Sequence, residues 1–179
     1  SFVSHGLQLW AALPRAHEED EPSFAHTPAT AIPELRNGDA QVRVLIGEAF
    51  GKKSPVATFS QTLYLDVVLP AGAQLDLPAL AAELAVYPVE GGLTLDGEPI
   101  AAHSMAVLES GRPASVGATA AARFVVIGGE PLDGPRHMWW NFVSSRKERI
   151  IQASADWEAQ RMGQVPGETE FISLPATRF

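Results

Sequence analysis

The chain has 179 residues, of which 46% are apolar and 19% are Asp, Glu, Lys or Arg. That length can bury a sizeable core without disulfides or metal, and the low charge excludes the charged, core-less kind of disorder. The 21 acids and 13 bases leave a formal charge of −8, which argues against DNA, RNA or an anionic membrane as a direct partner. No cysteine is present, so disulfides, thiolate nucleophiles, Fe–S clusters and cysteine zinc sites are excluded. No apolar run approaches the roughly 18 residues of a membrane span, and SFVSHGLQLW lacks the basic and apolar regions of a signal peptide. A cytoplasmic location is expected.

In chain order, residues 2–13 read as an extended segment, with Leu7, Leu9 and Ala11 on one parity, ended by Pro14. Residues 15–37 read as a polar arm carrying the acidic run Glu18 to Glu21, expected to be solvated. Asn37-Gly38-Asp39 is a turn signal. Short strands are then predicted at 41–46, 62–69, 84–89, 93–95, 104–108, 114–117 and 122–127, with Gly and Pro between them. Asp96-Gly97 has the chemistry of a two-residue hairpin turn. Many short strands without alternating helices predict an all-β sandwich or barrel.

The last part differs. Ile150, Ala153 and Trp157 fall three and four residues apart, which predicts a helix near 146–161 capped by Ser144 or Ser145. Its polar residues Arg146, Lys147 and Glu158 are expected to face water. Residues 169–174 could add an edge strand.

These words occur in an ordered string. HGLQLW is followed by GxAxGxxSPV at Gly47 to Val56, then TLYLDVVL and PAGA. Next come GGEPLDGPRHMWWNFVSS from Gly128 to Ser145, KERI, a helix containing ADW, and PGETEFISLP. The string resembles the C-terminal half of the pirin family over nearly the whole chain. Pirins are bicupins, so the resemblance implies a cupin-type jelly roll (a double-stranded β-helix) with one C-terminal helix. It divides the chain into a crossover strand and arm (1–37), a cupin-like β-barrel (38–143), and a helix with an edge tail (144–179). It also implies that the first cupin, which holds the family's iron on three histidines and a glutamate, has no matching segment here. The start at Ser1 without methionine favours a truncated or processed chain over a naturally short relative.

The residues themselves offer little catalytic chemistry. A cupin metal needs histidines converging from neighbouring strands, often as an HxH pair. His5, His17, His26, His103 and His137 contain no such pair. His103, near Glu90 and Glu109, is the one histidine at the expected barrel mouth, and it reads more simply as hydrogen-bonded or exposed. Ser54 in GKKSPV lacks the phosphate-loop pattern and reads as a turn. No catalytic, cofactor or metal residue is therefore assigned. The informative cluster is aromatic: Trp139, Trp140 and Phe142, with Trp10 from the first segment. In an extended strand Trp139 would face opposite to Trp140 and Phe142. Rings of this size pack in a core, against a first domain or a second subunit, or against a ligand.

Two functions follow as expectations. One is a metal-free structural or protein-interaction domain, dimeric or paired with an N-terminal cupin. The alternative is one part of an iron-dependent, quercetinase-like dioxygenase whose metal site lies in that other cupin.

Overall fold

The structure is a computed structural model that describes residues 6–177. Its contacts divide the chain into two units, residues 21–131 and residues 6–20 together with 132–177.

The unit spanning 21–131 is built from two antiparallel sheets. The larger has six strands: β1 (Glu34–Asn37), β2 (Ala40–Ile46), β5 (Thr62–Leu69), β7 (Glu83–Glu90), β10 (Ala106–Val107) and β12 (Ala122–Gly129). Their order is β1-β2-β5-β12-β7-β10. The smaller has four: β6 (Gln74–Leu77), β8 (Leu93–Leu95), β9 (Glu98–Ile100) and β11 (Ala114–Ala118), in the order β6-β11-β8-β9. A small hairpin, β3 (Glu48–Ala49) and β4 (Lys52–Lys53), fills the glycine loop.

Period-two alternation explains the two sheets. In β5, Leu63, Leu65, Val67 and Leu69 are buried while Tyr64 and Val68 are not. Val42 and Val44 of β2, Phe124 and Val126 of β12, and Leu84 and Val86 of β7 continue that inner face. Leu75, Leu77, Leu93 and Val116 of the small sheet close on it, so one aliphatic core lies between the sheets. Asp96 (φ 50) and Gly97 (φ 89) form the two-residue turn between β8 and β9, with Leu95 paired to Glu98. The return strand thus begins directly at Glu98. On β7, Pro88 has no N–H for the ladder. There the register slips, because Arg123 pairs with Glu90 but Phe124 pairs with Pro88.

The other unit contains a short 3-10 turn (Arg15–His17), a hairpin of β13 (His137–Trp139) and β14 (Phe142–Ser144), and one α-helix, α1 (Lys147–Glu158).

The mainly antiparallel β architecture with one C-terminal helix agrees with the sequence reading, and four details differ. The two sheets are not joined by ladder hydrogen bonds into a closed barrel; β1 and β10 remain edges of one, β6 and β9 of the other. Residues 6–13 form no strand, although their alternation suggested one; residues 1–5, including His5, lie outside the described residues. No partner edge pairs with them, and alternation alone cannot supply one. Residues 169–174 form no strand for the same reason. The arm is not uniformly solvated either: it contains β1, and Glu18 is drawn into an ion pair described below.

Candidate interaction surface

Inside the 21–131 unit the interior offers no polar chemistry. Phe124, Leu65, Leu69, Leu77, Val42, Val44, Val67 and Val116 are all fully buried there. The one buried carboxylate of this unit, Asp66, lies on the other side of β5, between two inward-facing neighbours. It accepts two hydrogen bonds from Arg123, from Nε and Nη2, both at 2.8 Å, and Arg43 Nη1 lies 3.5 Å away. A fork of this kind is among the stronger polar contacts. Burial and the Asp66 charge together raise the nearby Tyr64 phenol above its ordinary value, with Arg123 opposing.

His103 sits in an exposed turn at φ 60, with its ring centroid 6.5 Å from that of Tyr87. Among the described residues no three His, Asp or Glu side chains converge as metal ligands. The iron associated with the resembling family therefore does not fit the residues described here. Ser54 is occupied too: its hydroxyl donates to the Leu45 carbonyl (2.7 Å) and accepts from the Val56 N–H (3.2 Å).

The aromatic residues singled out from the sequence come together around the β13–β14 hairpin. Trp139 and Phe142 are cross-strand partners with centroids 6.3 Å apart. Trp140 heads the turn at φ 49, an unfavourable conformation for a large L residue. The turn removes Trp140 from strand parity, so the expected opposition of Trp139 to Trp140 and Phe142 does not hold. Trp140 instead meets Phe142 edge-on at 5.4 Å and Trp157 of α1 at 5.1 Å. Trp157 belongs to the apolar stripe of the helix and joins the aromatic cluster from there. Two indole N–H groups also hold the tail, Trp157 donating to the Ile172 carbonyl (2.7 Å) and Trp139 to that of Thr177 (3.3 Å). A shallow cleft of about 310 Å³ between helix end and tail is lined by Phe171, Leu174 and Glu158, among others.

The opposite face of the hairpin is open. Met138 and Val143 are paired across the strands and are exposed, Met138 at 72%. Leu7, Leu9, Trp10 and Leu13 of the same unit are exposed as well, Trp10 at 56%. Trp10 makes no ring contact with the cluster of Trp139, Trp140 and Phe142.

A polar cluster missed by the sequence reading lies in this unit. Arg136 is buried beside Glu18, with Nε 2.6 Å from Oε1; this is a charge contact whose N–H has no well-directed hydrogen bond. Its Nη groups donate to the carbonyls of Gly134 (2.8 Å) and Leu13 (2.7 Å) and to Asp133 (2.5 Å). Ser145 donates its backbone N–H to Glu18 at 2.9 Å and its hydroxyl at 2.7 Å. Burial alone would raise the Glu18 carboxyl, but the Ser145 bonds and the Arg136 charge outweigh it and hold the group below its ordinary range. Local spacing contains no signal for a contact spanning 127 positions.

Two packed antiparallel sheets with an aliphatic interior define a cupin-type β domain. The sequence profile described as the Pirin C-terminal cupin domain matches residues 64–163, and the chain belongs to the pirin family. It is 42% identical over 173 residues to a pirin-like protein of Caulobacter vibrioides, covering 95% of this chain and 59% of that protein. It is 32% identical over 159 residues to a putative quercetin 2,3-dioxygenase of Pseudomonas aeruginosa, covering 87% of this chain and 49% of that protein. A crystal structure of quercetin 2,3-dioxygenase from Acinetobacter baumannii superposes with a TM-score of 0.85 at 25% identity, over 93% of this chain and 57% of that one. The chain thus spans about half to three-fifths of the length of the relatives it matches.

Proposed function

We propose that this chain is a metal-free structural cupin of a two-cupin protein, acting through surfaces that pack against a partner. The observation that carries this reading is the interior between the sheets, filled by Phe124 and aliphatic side chains without a group of metal-ligating residues. The exposed Trp10 and the exposed Met138–Val143 face supply apolar area of the kind that partners cover. The partner is an N-terminal cupin, or a second copy of the chain where that cupin is lacking. A cytoplasmic setting without direct nucleic-acid or membrane contact suits the net charge of −8. No helix among the described residues is long and apolar enough to cross a membrane.

A second reading concerns the protein of which this chain would be a part. The relatives from Pseudomonas aeruginosa and Acinetobacter baumannii, named as a putative quercetin 2,3-dioxygenase and a quercetin 2,3-dioxygenase, favour a quercetinase-like dioxygenase, for which the pirin resemblance implies iron. In that reading the metal and the chemistry belong to the other cupin, and no catalytic step is assigned to residues of this chain.

The test compares this chain alone with the same chain joined to the N-terminal cupin of the Caulobacter relative. Metal content and flavonol-dependent O2 uptake are expected only in the joined form. One tightly held iron and O2 uptake by the chain alone would overturn the structural reading. Light scattering on the chain alone tests the second-copy partner, for which a dimer is expected. Met138→Glu with Val143→Glu should weaken that association by about tenfold or more while leaving the melting temperature nearly unchanged. A strictly monomeric chain would rule out the second copy as partner.

A further inference from the structure

The entry to α1 is satisfied in an unusual way. The first N–H groups of any helix lack intrahelical partners, and a side chain close in sequence normally serves them. Arg146 occupies the cap position here and makes no such bond from its side chain. Ser144, named from the sequence as a candidate cap, accepts from the Arg146 N–H at 3.1 Å. Glu18 accepts from the N–H and hydroxyl of Ser145 two residues before the helix, at an end that also carries Glu148 in the first turn and Glu19 paired with Arg146 and Arg149. A carboxylate there also meets the positive end of the helix dipole.

We infer that Glu18 serves the N-terminus of α1 from the arm, so that seating residues 13–19 and ordering the first turn of the helix are one conformational switch. Four further contacts bind the same stretch. The Leu13 carbonyl accepts from Arg136, the Arg15 N–H donates to Asp133 at 2.9 Å, and Glu19 pairs with Arg146 and with Arg149. Every one of these joins the arm to residues 133–149. Removing the Glu18 charge leaves Arg136 buried beside a neutral group and replaces the charge-assisted acceptor of Ser145 with a weaker neutral one. The first loss falls on the loop before β13 and the second on the residue two before the helix.

The charged surroundings set the sign of the pH dependence. Facing Glu18 are Arg136 from the loop before β13 and Ser144 and Ser145 from the end of β14. Around them, Asp133 holds Arg136, Arg146 and Arg149 of the helix side face Glu19, and on the arm itself His17 bonds Asp20 at 2.7 Å. Because the Glu18 carboxyl titrates below its ordinary range, its contribution is fully present above that range. The contribution is lost as the pH falls through the lowered value.

The test is amide hydrogen exchange on the full chain, unaltered and as Glu18→Gln. At neutral pH the variant should exchange about tenfold faster at residues 145–150 and 13–19, with β12 unchanged. The unaltered chain should acquire the same pattern on acidification, after correction for intrinsic exchange, and the variant should change little further. If Glu18→Gln does not fold, the acid titration of the unaltered chain still decides. There, loss of protection in the arm while residues 145–150 stay protected would separate the two events and overturn the inference. Equal protection of residues 145–150 in both proteins at neutral pH would overturn it as well. An acid-induced loss just as large in the variant would also do so, by assigning the effect to Asp133 or Glu19.

Discussion

Phe124→Ala is expected to cost about 3–5 kcal/mol of stability, the largest loss for any single side chain of this protein. Phe124 is fully buried, and it is the largest such side chain among the described residues. Its strand β12 is hydrogen-bonded on both sides, to β5 and to β7, so the backbone cannot settle into the space a smaller residue leaves. The facing wall is built of Leu and Val side chains from the second sheet. A domain of this size has only about 5–15 kcal/mol in total, so the variant should unfold at a much lower urea concentration. Phe124→Leu should lose considerably less, because most of the volume is kept. A loss below about 1 kcal/mol for the alanine variant, with unchanged m-value, would contradict the placement of Phe124 at the centre of the core.

Gly91→Ala should also be strongly damaging, and comparison with Gly97→Ala shows why. Both glycines have positive φ, 80° and 89°. A Cβ there carries an intrinsic cost of about 1–2 kcal/mol for an L residue. At Gly97, in the hairpin turn, the added atom meets nothing within 4 Å. At Gly91 it would lie 2.4 Å from the Ala121 carbonyl oxygen and 2.8 Å from the Ala122 Cα. Those are backbone atoms at the start of β12, so neither can rotate away. Gly91 also stands where the chain leaves β7 of the large sheet for β8 of the small one. Thermal or urea unfolding should show a loss of about 1–2 kcal/mol for Gly97→Ala and an additional 1–3 kcal/mol for Gly91→Ala. Equal losses for the two variants would show that the close approach at Gly91 relaxes without cost.

The surface that carries the proposed function is a mixture of legible and hidden parts. Trp139, Trp140 and Phe142 are conspicuous in the sequence because three large rings fall within four positions. Their arrangement is not legible, since it depends on the turn falling at Trp140. Once Trp140 adopts φ 49, its ring leaves the strand alternation and packs on Trp157. Trp10 remains exposed, so the rings grouped by type in the sequence are not all in contact.

By itself the sequence determined what rests on short-range regularities. The alternation of Leu63, Leu65, Val67 and Leu69 sets which face of β5 is buried, because successive side chains of a strand point to opposite sides. Asp96-Gly97 sets a two-residue turn, because only residues tolerant of positive φ can close it. The Ile150, Ala153 and Trp157 spacing sets a helix, and the ordered motifs set the family. Tertiary structure alone decided the rest. Whether an alternating segment becomes a strand depends on a free edge to pair with, which β1 finds on β2 and residues 6–13 do not find. The two sheets stay open because the pairing of their edges is a matter of three-dimensional register. Glu18, one of four adjacent acids with no distinguishing neighbour, differs from the others only because folding brings Arg136 and Ser145 to it across more than a hundred residues. Electrostatic and hydrogen-bond partners act through space, and a contact of that separation leaves no periodic trace along the chain.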